Sequence, residues 1–448
     1  MKKCILLAII GLGIISCATP KNTNNMELPK QWKHHTNIYE VNVRQYTQEG
    51  TFRAFEKELP RLRAMGVETL WFMPITPIAT QKMKGTLGSP YAASDYTSIN
   101  PEFGTLEDFK HLVNSAHAQG FKVIIDWVAN HTGWNHVWTK THPEYYLHDA
   151  DGSFHIASGM DDIIELDYSK PELRNAMIDA MKFWVRETNI DGFRCDLASW
   201  VEVDFWEQAR PAVETVKPLF WLGEFDELEQ PEYGKVFDAS YSWTWMHKTK
   251  DYYEKNLPLQ ELKDVLMKYS AIGDQSMRAW FTTNHDENSW NGTEYEKYGV
   301  IAKPLAVFSA TWNGVPLMYS GQELPNHKRL EFFEKDVIQW MGQYELTDFY
   351  KTLFHLKSTN PALRGGDPAV TTYFINTTEN GKILAYLRKN GQDEVLVVLN
   401  LSKESVNFSI QDTMVQGSFK NLFEKTDRNW SDNPSLSMKP GDYAVFVK

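Results

Sequence analysis

Cysteine is nearly missing from the 448 residues: there are three, at Cys4, Cys17 and Cys195. Two of them stand in the first seventeen positions, so Cys195 is alone in the body of the chain and no internal disulfide can staple the fold. No Cys/His spacing of the kind that holds zinc occurs. Cys195 sits inside an apolar-flanked strand pattern and reads as a small buried side chain. Long single-sign charge blocks are also lacking. The 58 acidic and 46 basic residues are scattered, and the net charge of −12 gives a solvated acidic surface that repels nucleic-acid phosphates. The apolar run Ile5–Ile15 is too short for a permanent membrane span, which needs about 20 residues. No internal repeat or low-complexity segment is present. A neutral ligand fits this chain better than a nucleic acid.

What is present is an ordinary globular composition, 42% hydrophobic and 23% charged, with nothing to suggest disorder. The length exceeds what one core usually supports, so a large domain with one or two smaller units is expected. Aromatic residues reach 13%, with 16 Trp; exposed rings among them suit sugars, whose apolar faces stack on aromatics. Lys2 and Lys3 followed by Ile5–Ile15 read as an export signal. It ends Ile14-Ile15-Ser16-Cys17, which resembles the lipobox of bacterial lipoproteins. That resemblance implies residues 1–17 as a signal with lipidated Cys17, and anchoring to a membrane; Ala18 beside the anchor implies the outer one. Residues 18–31 then read as a tether.

From about residue 37, short β-rich runs alternate with amphipathic segments. Eight strands are expected: Ile38–Val43, Glu68–Met73, Val123–Trp127, Gly192–Asp196, Phe220–Glu224, Lys235–Ala239, Ala279–Thr283 and Val315–Tyr319. A helix should start at Thr105, capped with Asp108 and closed by Gly120, and another at Ser169, with Glu172 as capping partner. Pro60 should kink or delay a helix over Phe52–Met65. This alternation predicts an α/β fold, either a (β/α)₈ barrel over residues 32–360 or a doubly wound open sheet. Residues 132–168, rich in His, Asp, Trp and Tyr, are too long for an idle loop and read as an inserted subdomain after the third strand. Residues 361–448 change to short alternating strands, predicting an antiparallel β-sandwich.

Polar residues gather where strands end. Val123–Val128 runs from apolar residues into Asp126, Asn130 and His131. Gly192-Phe193-Arg194-Cys195-Asp196 places Arg194 and Asp196 on one face of a strand. Two more strands end in Glu224 and in Asn284-His285-Asp286. On a barrel these endings converge on the active face. Three carboxylates there suit glycoside hydrolysis, which needs an acid/base and a nucleophile or base.

Taken together, Asp126-x-x-x-Asn130-His131, Gly192-x-Arg194-x-Asp196, Glu224 and Asn284-His285-Asp286 resemble the four conserved regions of the α-amylase family, glycoside hydrolase family 13. Ser89-Pro90-Tyr91, Glu165-Leu166-Asp167-Tyr168 and Tyr319-Ser320-Gly321-Gln322-Glu323 extend the likeness over about residues 32 to 325. The resemblance implies retaining hydrolysis of α-glucosidic bonds, mainly α-1,4, in starch or maltooligosaccharides, without an organic cofactor and by a monomer. It implies Asp196 as nucleophile, held ionised by Arg194, and Glu224 as acid/base with a raised pKa. Asp286 would bind ring hydroxyls, His131 and His285 would hydrogen-bond the reacting glucose, Tyr91 would stack beneath it, and Asp126 would shape the site from below. It also implies a calcium ion at Asn130. Two positions depart from the pattern: Ser199 and Trp200 replace a common Lys-His pair, and Glu165 stands where the calcium-binding Asp is usual. A transglycosylase or isomerising enzyme of the same family shares every one of these residues. A non-catalytic glucan-binding lipoprotein would lack the carboxylates that are present here.

Overall fold

A computed structural model describes residues 32–448 apart from positions 274, 341, 343, 432 and 433. The expected signal, Cys17 and the tether lie outside the described residues. Eight parallel strands close into a barrel: β1 (Ile38–Val41), β2 (Thr69–Phe72), β3 (Lys122–Val128), β4 (Gly192–Asp196), β5 (Phe220–Asp226), β6 (Ala239–Tyr241), β7 (Met277–Trp280) and β8 (Val315–Tyr319). Neighbours follow chain order, and β8 pairs with β1. The ring has no edge, which decides against the doubly wound sheet. Ile38, Trp71, Ile124, Phe220, Leu222, Met277 and Leu317 pack together as one of the barrel's buried clusters.

Local chemistry explains the helices. Thr105 accepts from Asp108 N while Asp108 accepts from Thr105 N, a full capping box on helix Leu106–Ala118. Pro60 divides its region into helices Phe52–Glu56 and Leu59–Met65, standing in the first turn of the second, where its missing N–H costs nothing. The expected Ser169 cap is corrected. Helix Pro171–Thr188 starts one residue later, so the cap position falls on Lys170, whose side chain makes no cap bond, and Ser169 lies in the turn before it with its N–H donating to Asp167. Two strands also shift. Pro231–Lys235 is a 3₁₀ turn, and Val236 N and Phe237 N bond Tyr233 O, so β6 begins only at Ala239. The seventh strand lies at Met277–Trp280 rather than Ala279–Thr283, since Met277 N pairs with Asp238 O and the chain leaves the sheet beyond Trp280.

Between β3 and helix Pro171–Thr188 lies the insertion, tied by a short antiparallel pair, His131–Gly133 with Ile163–Glu165. The C-terminal domain has two layers, a six-stranded antiparallel sheet and a two-stranded ribbon, Val406–Ser409 with Ser435–Met438. Three polar strands of this domain, Ser418–Asn421, Asp427–Asn429 and Ser435–Met438, give no apolar run and go unread in the sequence. One face of the six-stranded sheet, with Leu396, Val398 and Phe446, meets Phe408 and Met438 of the ribbon. The other, with Leu384, Tyr386, Val397 and Leu399, packs on the barrel. There Tyr386 meets Phe308 and Trp312, and its hydroxyl lies 2.6 Å from that of Thr311. Cys195 is buried and free, as its strand pattern implied.

Candidate active site

Strand register builds the site. In the β4–β5 pair Cys195 stands opposite Gly223. One residue further along, Asp196 and Glu224 are therefore neighbours on adjacent strands about 4.8 Å apart, pointing to the same face. Between β3 and β4, Asp126 pairs with Arg194. The fully buried Arg194 guanidinium ties three carboxylates together. Its Nη1 donates to Asp126 Oδ1 at 3.0 Å and to Asp196 Oδ1 at 2.9 Å. Its Nη2 lies 2.7 Å from Glu224 Oε2, close enough for an ion pair though not aligned as a hydrogen bond. Leu197 N donates to the same Glu224 oxygen at 2.9 Å, leaving Oε1 outside that bond.

A second cluster adjoins it. Tyr91 OH donates to Asp126 Oδ2 at 3.0 Å and lies 2.8 Å from His285 Nε2, with the two rings stacked 5.2 Å apart. His285 Nδ1 bonds Glu40 on β1, and its Nε2 is 3.3 Å from Asp286. Asp286 is 36% exposed, at the cleft surface. His131 Nε2 is buried without a protein partner, while Nδ1 faces the Asn130 amide. Of these groups, Tyr91, His131, Asp196, Glu224 and Asp286 line one cavity of about 500 Å³. Trp200, Trp290, Phe332 and Phe333 complete its apolar walls.

Charge in the cavity is unevenly placed. Desolvation works against charging His285, but Asp286 and Glu40 outweigh it and hold the imidazole well above its ordinary pKa. Burial also pushes Asp286 up, yet the charged His285 wins and keeps its carboxyl below the usual range. Asp196 departs from the expectation that Arg194 holds it ionised. Burial raises its pKa well above the ordinary value, Glu224 raises it further, and Arg194 only partly opposes them. Burial lowers His131 to about 4, so it enters the cleft neutral.

Calcium fits poorly at the expected place. The Asn130 amide faces the His131 ring, and Glu165 turns away to pair with His155 at 3.6 Å. Among the described residues no group of three or more His, Cys, Asp or Glu side chains could hold a metal. No chemical step is therefore assigned to a metal.

No sequence motif assigns a role to Glu40, Phe332 or Phe333. Glu40 was visible as a lone acid inside the apolar strand Ile38–Val41. The Phe332-Phe333 pair belongs to the segment after β8, which carries no periodic pattern.

Residues 21–146 and 144–339 match the alpha amylase catalytic domain, and residues 374–445 match the maltogenic amylase C-terminal domain. The chain belongs to the alpha-amylase family. It is a hydrolase of that family by its barrel, its C-terminal sheet and its relatives. Alpha-amylase 2 of Dictyoglomus thermophilum is 23% identical over 440 residues, covering 89% of this chain and 74% of that protein. The maltogenic alpha-amylase of Bacillus acidopullulyticus is 24% identical, covering 89% and 70%. Among solved structures, a noncanonic maltogenic alpha-amylase from Thermotoga neapolitana superposes with a TM-score of 0.84 at 29% identity, covering 93% of this chain and 99% of that one.

Proposed function

We propose that this alpha-amylase family hydrolase cleaves α-1,4-glucosidic bonds of maltooligosaccharides and related α-glucans with retention of configuration. The observation that carries the reading is the register: Asp196 and Glu224 lie side by side on β4 and β5 under one arginine. Such closeness suits a retaining pair, whose carboxyls stand about 5–5.5 Å apart, and leaves no room for a water between sugar and base. Glu224 gives its proton to the glycosidic oxygen as Asp196 attacks the anomeric carbon, forming a glucosyl ester. Glu224 then takes a proton from water, which displaces Asp196 and releases the sugar. Asp286 and the charged His285 hold ring hydroxyls, the buried Nε2 of His131 supplies a neutral polar contact, and Tyr91 stacks under the glucose. The first step needs the proton on Glu224 and the charge on Asp196; Arg194, which donates to Asp196 at 2.9 Å, favours that charge against the burial that opposes it.

Asp196→Asn and Glu224→Gln should each lower maltodextrin turnover by roughly 10²–10⁴-fold, while each variant still folds and binds oligosaccharide. Either variant retaining a few per cent of wild-type rate would remove that residue from its role.

The reading extends to location. The Cys17 lipobox pattern supports an exported, outer-membrane lipoprotein. Expressed with its own leader in a Gram-negative host, the protein should sediment with membranes and need detergent for release, and Cys17→Ala should prevent this. Soluble wild-type protein in the periplasm would rule the anchor out.

A further inference from the structure

The cleft is walled at one end by a strap, residues 79–89, that follows β2 and is fastened on both sides. Toward the insertion, Thr80 N and Gln81 N donate to Asn135 Oδ1 at 2.8 and 2.9 Å. Lys84 pairs with Asp161 at 3.1 Å and Asp162 at 2.8 Å. Toward the segment after β8, Leu87 N donates to Phe333 O at 3.1 Å and Thr86 N to Glu334 at 2.9 Å. The strap presses so closely there that a Cβ on Gly85 would lie 2.6 Å from that of Phe333, and Gly85 itself has φ +62. Lys84, Asp162 and Phe333 all line the cavity, so the fastened strap is its wall.

Ring order tells which end is closed. The leaving oxygen must lie at Glu224 on β5, so the departing half of the substrate runs over β4 and β5, past Trp200, which is 43% exposed. The pyranose C4 lies across the ring from C1. The chain on the non-reducing side therefore heads away from Glu224, toward β2 and β8, where the strap and Phe333 meet. From this geometry, and resting on the hydrolytic reading above, we propose that the strap bounds the non-reducing side and makes the enzyme remove short units from non-reducing chain ends. Lys84 is then a specificity-determining residue, which closes the wall through its ion pairs and takes no part in bond cleavage.

The test compares maltoheptaose with the same sugar carrying a cyclic acetal across O4 and O6 of its non-reducing glucose. Wild-type protein should consume the blocked sugar at least about tenfold more slowly, and should release glucose or maltose early from the free one. Equal rates on both overturn the strap proposal and leave the hydrolytic reading standing; no hydrolysis of either sugar fails the hydrolytic reading itself. Two variants address the wall, Lys84→Ala and replacement of residues 81–86 by two glycines. Each should narrow the ratio of rates, and an unchanged ratio in folded variants overturns the assignment to the strap.

Discussion

The open end of the barrel and the seam between barrel and C-terminal sheet are both buried, yet they are built on opposite terms. At the seam, Leu384, Tyr386, Val397 and Leu399 meet the barrel through apolar contacts, and polar groups that cross it find partners, Tyr386 with Thr311 and the Tyr252 hydroxyl with Leu401 O. At the cleft, Asp126, Asp196 and Glu224 share Arg194, while His131 Nε2 and one oxygen of Glu40 are buried without partners. Unpartnered buried polar atoms and crowded like charges cost stability. Their presence at strand ends, where a ligand would complete them, marks the cleft as a place organised for binding rather than for holding the fold. Stability should thus reside at the seam and activity at the cleft.

The sharpest break of that contrast is at the seam. Leu399→Ala, a fully buried side chain, should cost about 2–5 kcal/mol of unfolding free energy while kcat/KM of the surviving folded protein stays near wild type. Glu224→Gln should do the reverse, with a melting midpoint at or above wild type because it removes one of the charges crowded on Arg194. Denaturant titrations of both variants decide; a Leu399→Ala protein as stable as wild type would dissolve the contrast.

A smaller effect concerns pH. His136, at the start of the insertion, is buried and pushed down to about 3, by desolvation first, with the nearby Asp95 opposing it. Its Nδ1 accepts from Trp138 N. The native state stays neutral there while the unfolded state gains a proton below about pH 6.5. Its contribution is therefore present above that pH and lost as pH falls toward 3. His136→Asn, which keeps an acceptor in place, should flatten the fall in stability between about pH 6.5 and 4 by about one proton, or about 1.4 kcal/mol per pH unit. An unaltered slope would mean that His136 does not sense pH in this way.

The same contrast explains what the sequence could tell. Strand ends carrying Asp126, Arg194, Asp196, Glu224 and His285 were legible because polar residues interrupt apolar runs at set places along the chain. The structure sets Asp196 and Glu224 in one cavity with Tyr91 and His131, and joins Asp126, Arg194 and His285 to them from behind through hydrogen bonds and ion pairs. The Thr105 cap and the division at Pro60 were legible because local hydrogen bonding alone decides them. Val236 and Phe237 misled because they are buried in a turn, and burial without periodicity does not distinguish a strand from a turn. The state of Asp196 was misjudged for another reason. Arg194 beside it was visible, but the burial and the Glu224 charge that outweigh it arise only when β4 and β5 are paired.

The central claim is that Asp196 attacks the sugar and Glu224 acts twice. Proton NMR of maltooligosaccharide hydrolysis in its first minutes, before mutarotation, tests it most directly. The paired carboxyls require the newly formed reducing end to appear as the α-anomer. Initial release of the β-anomer would show a single inverting displacement by water and contradict the account.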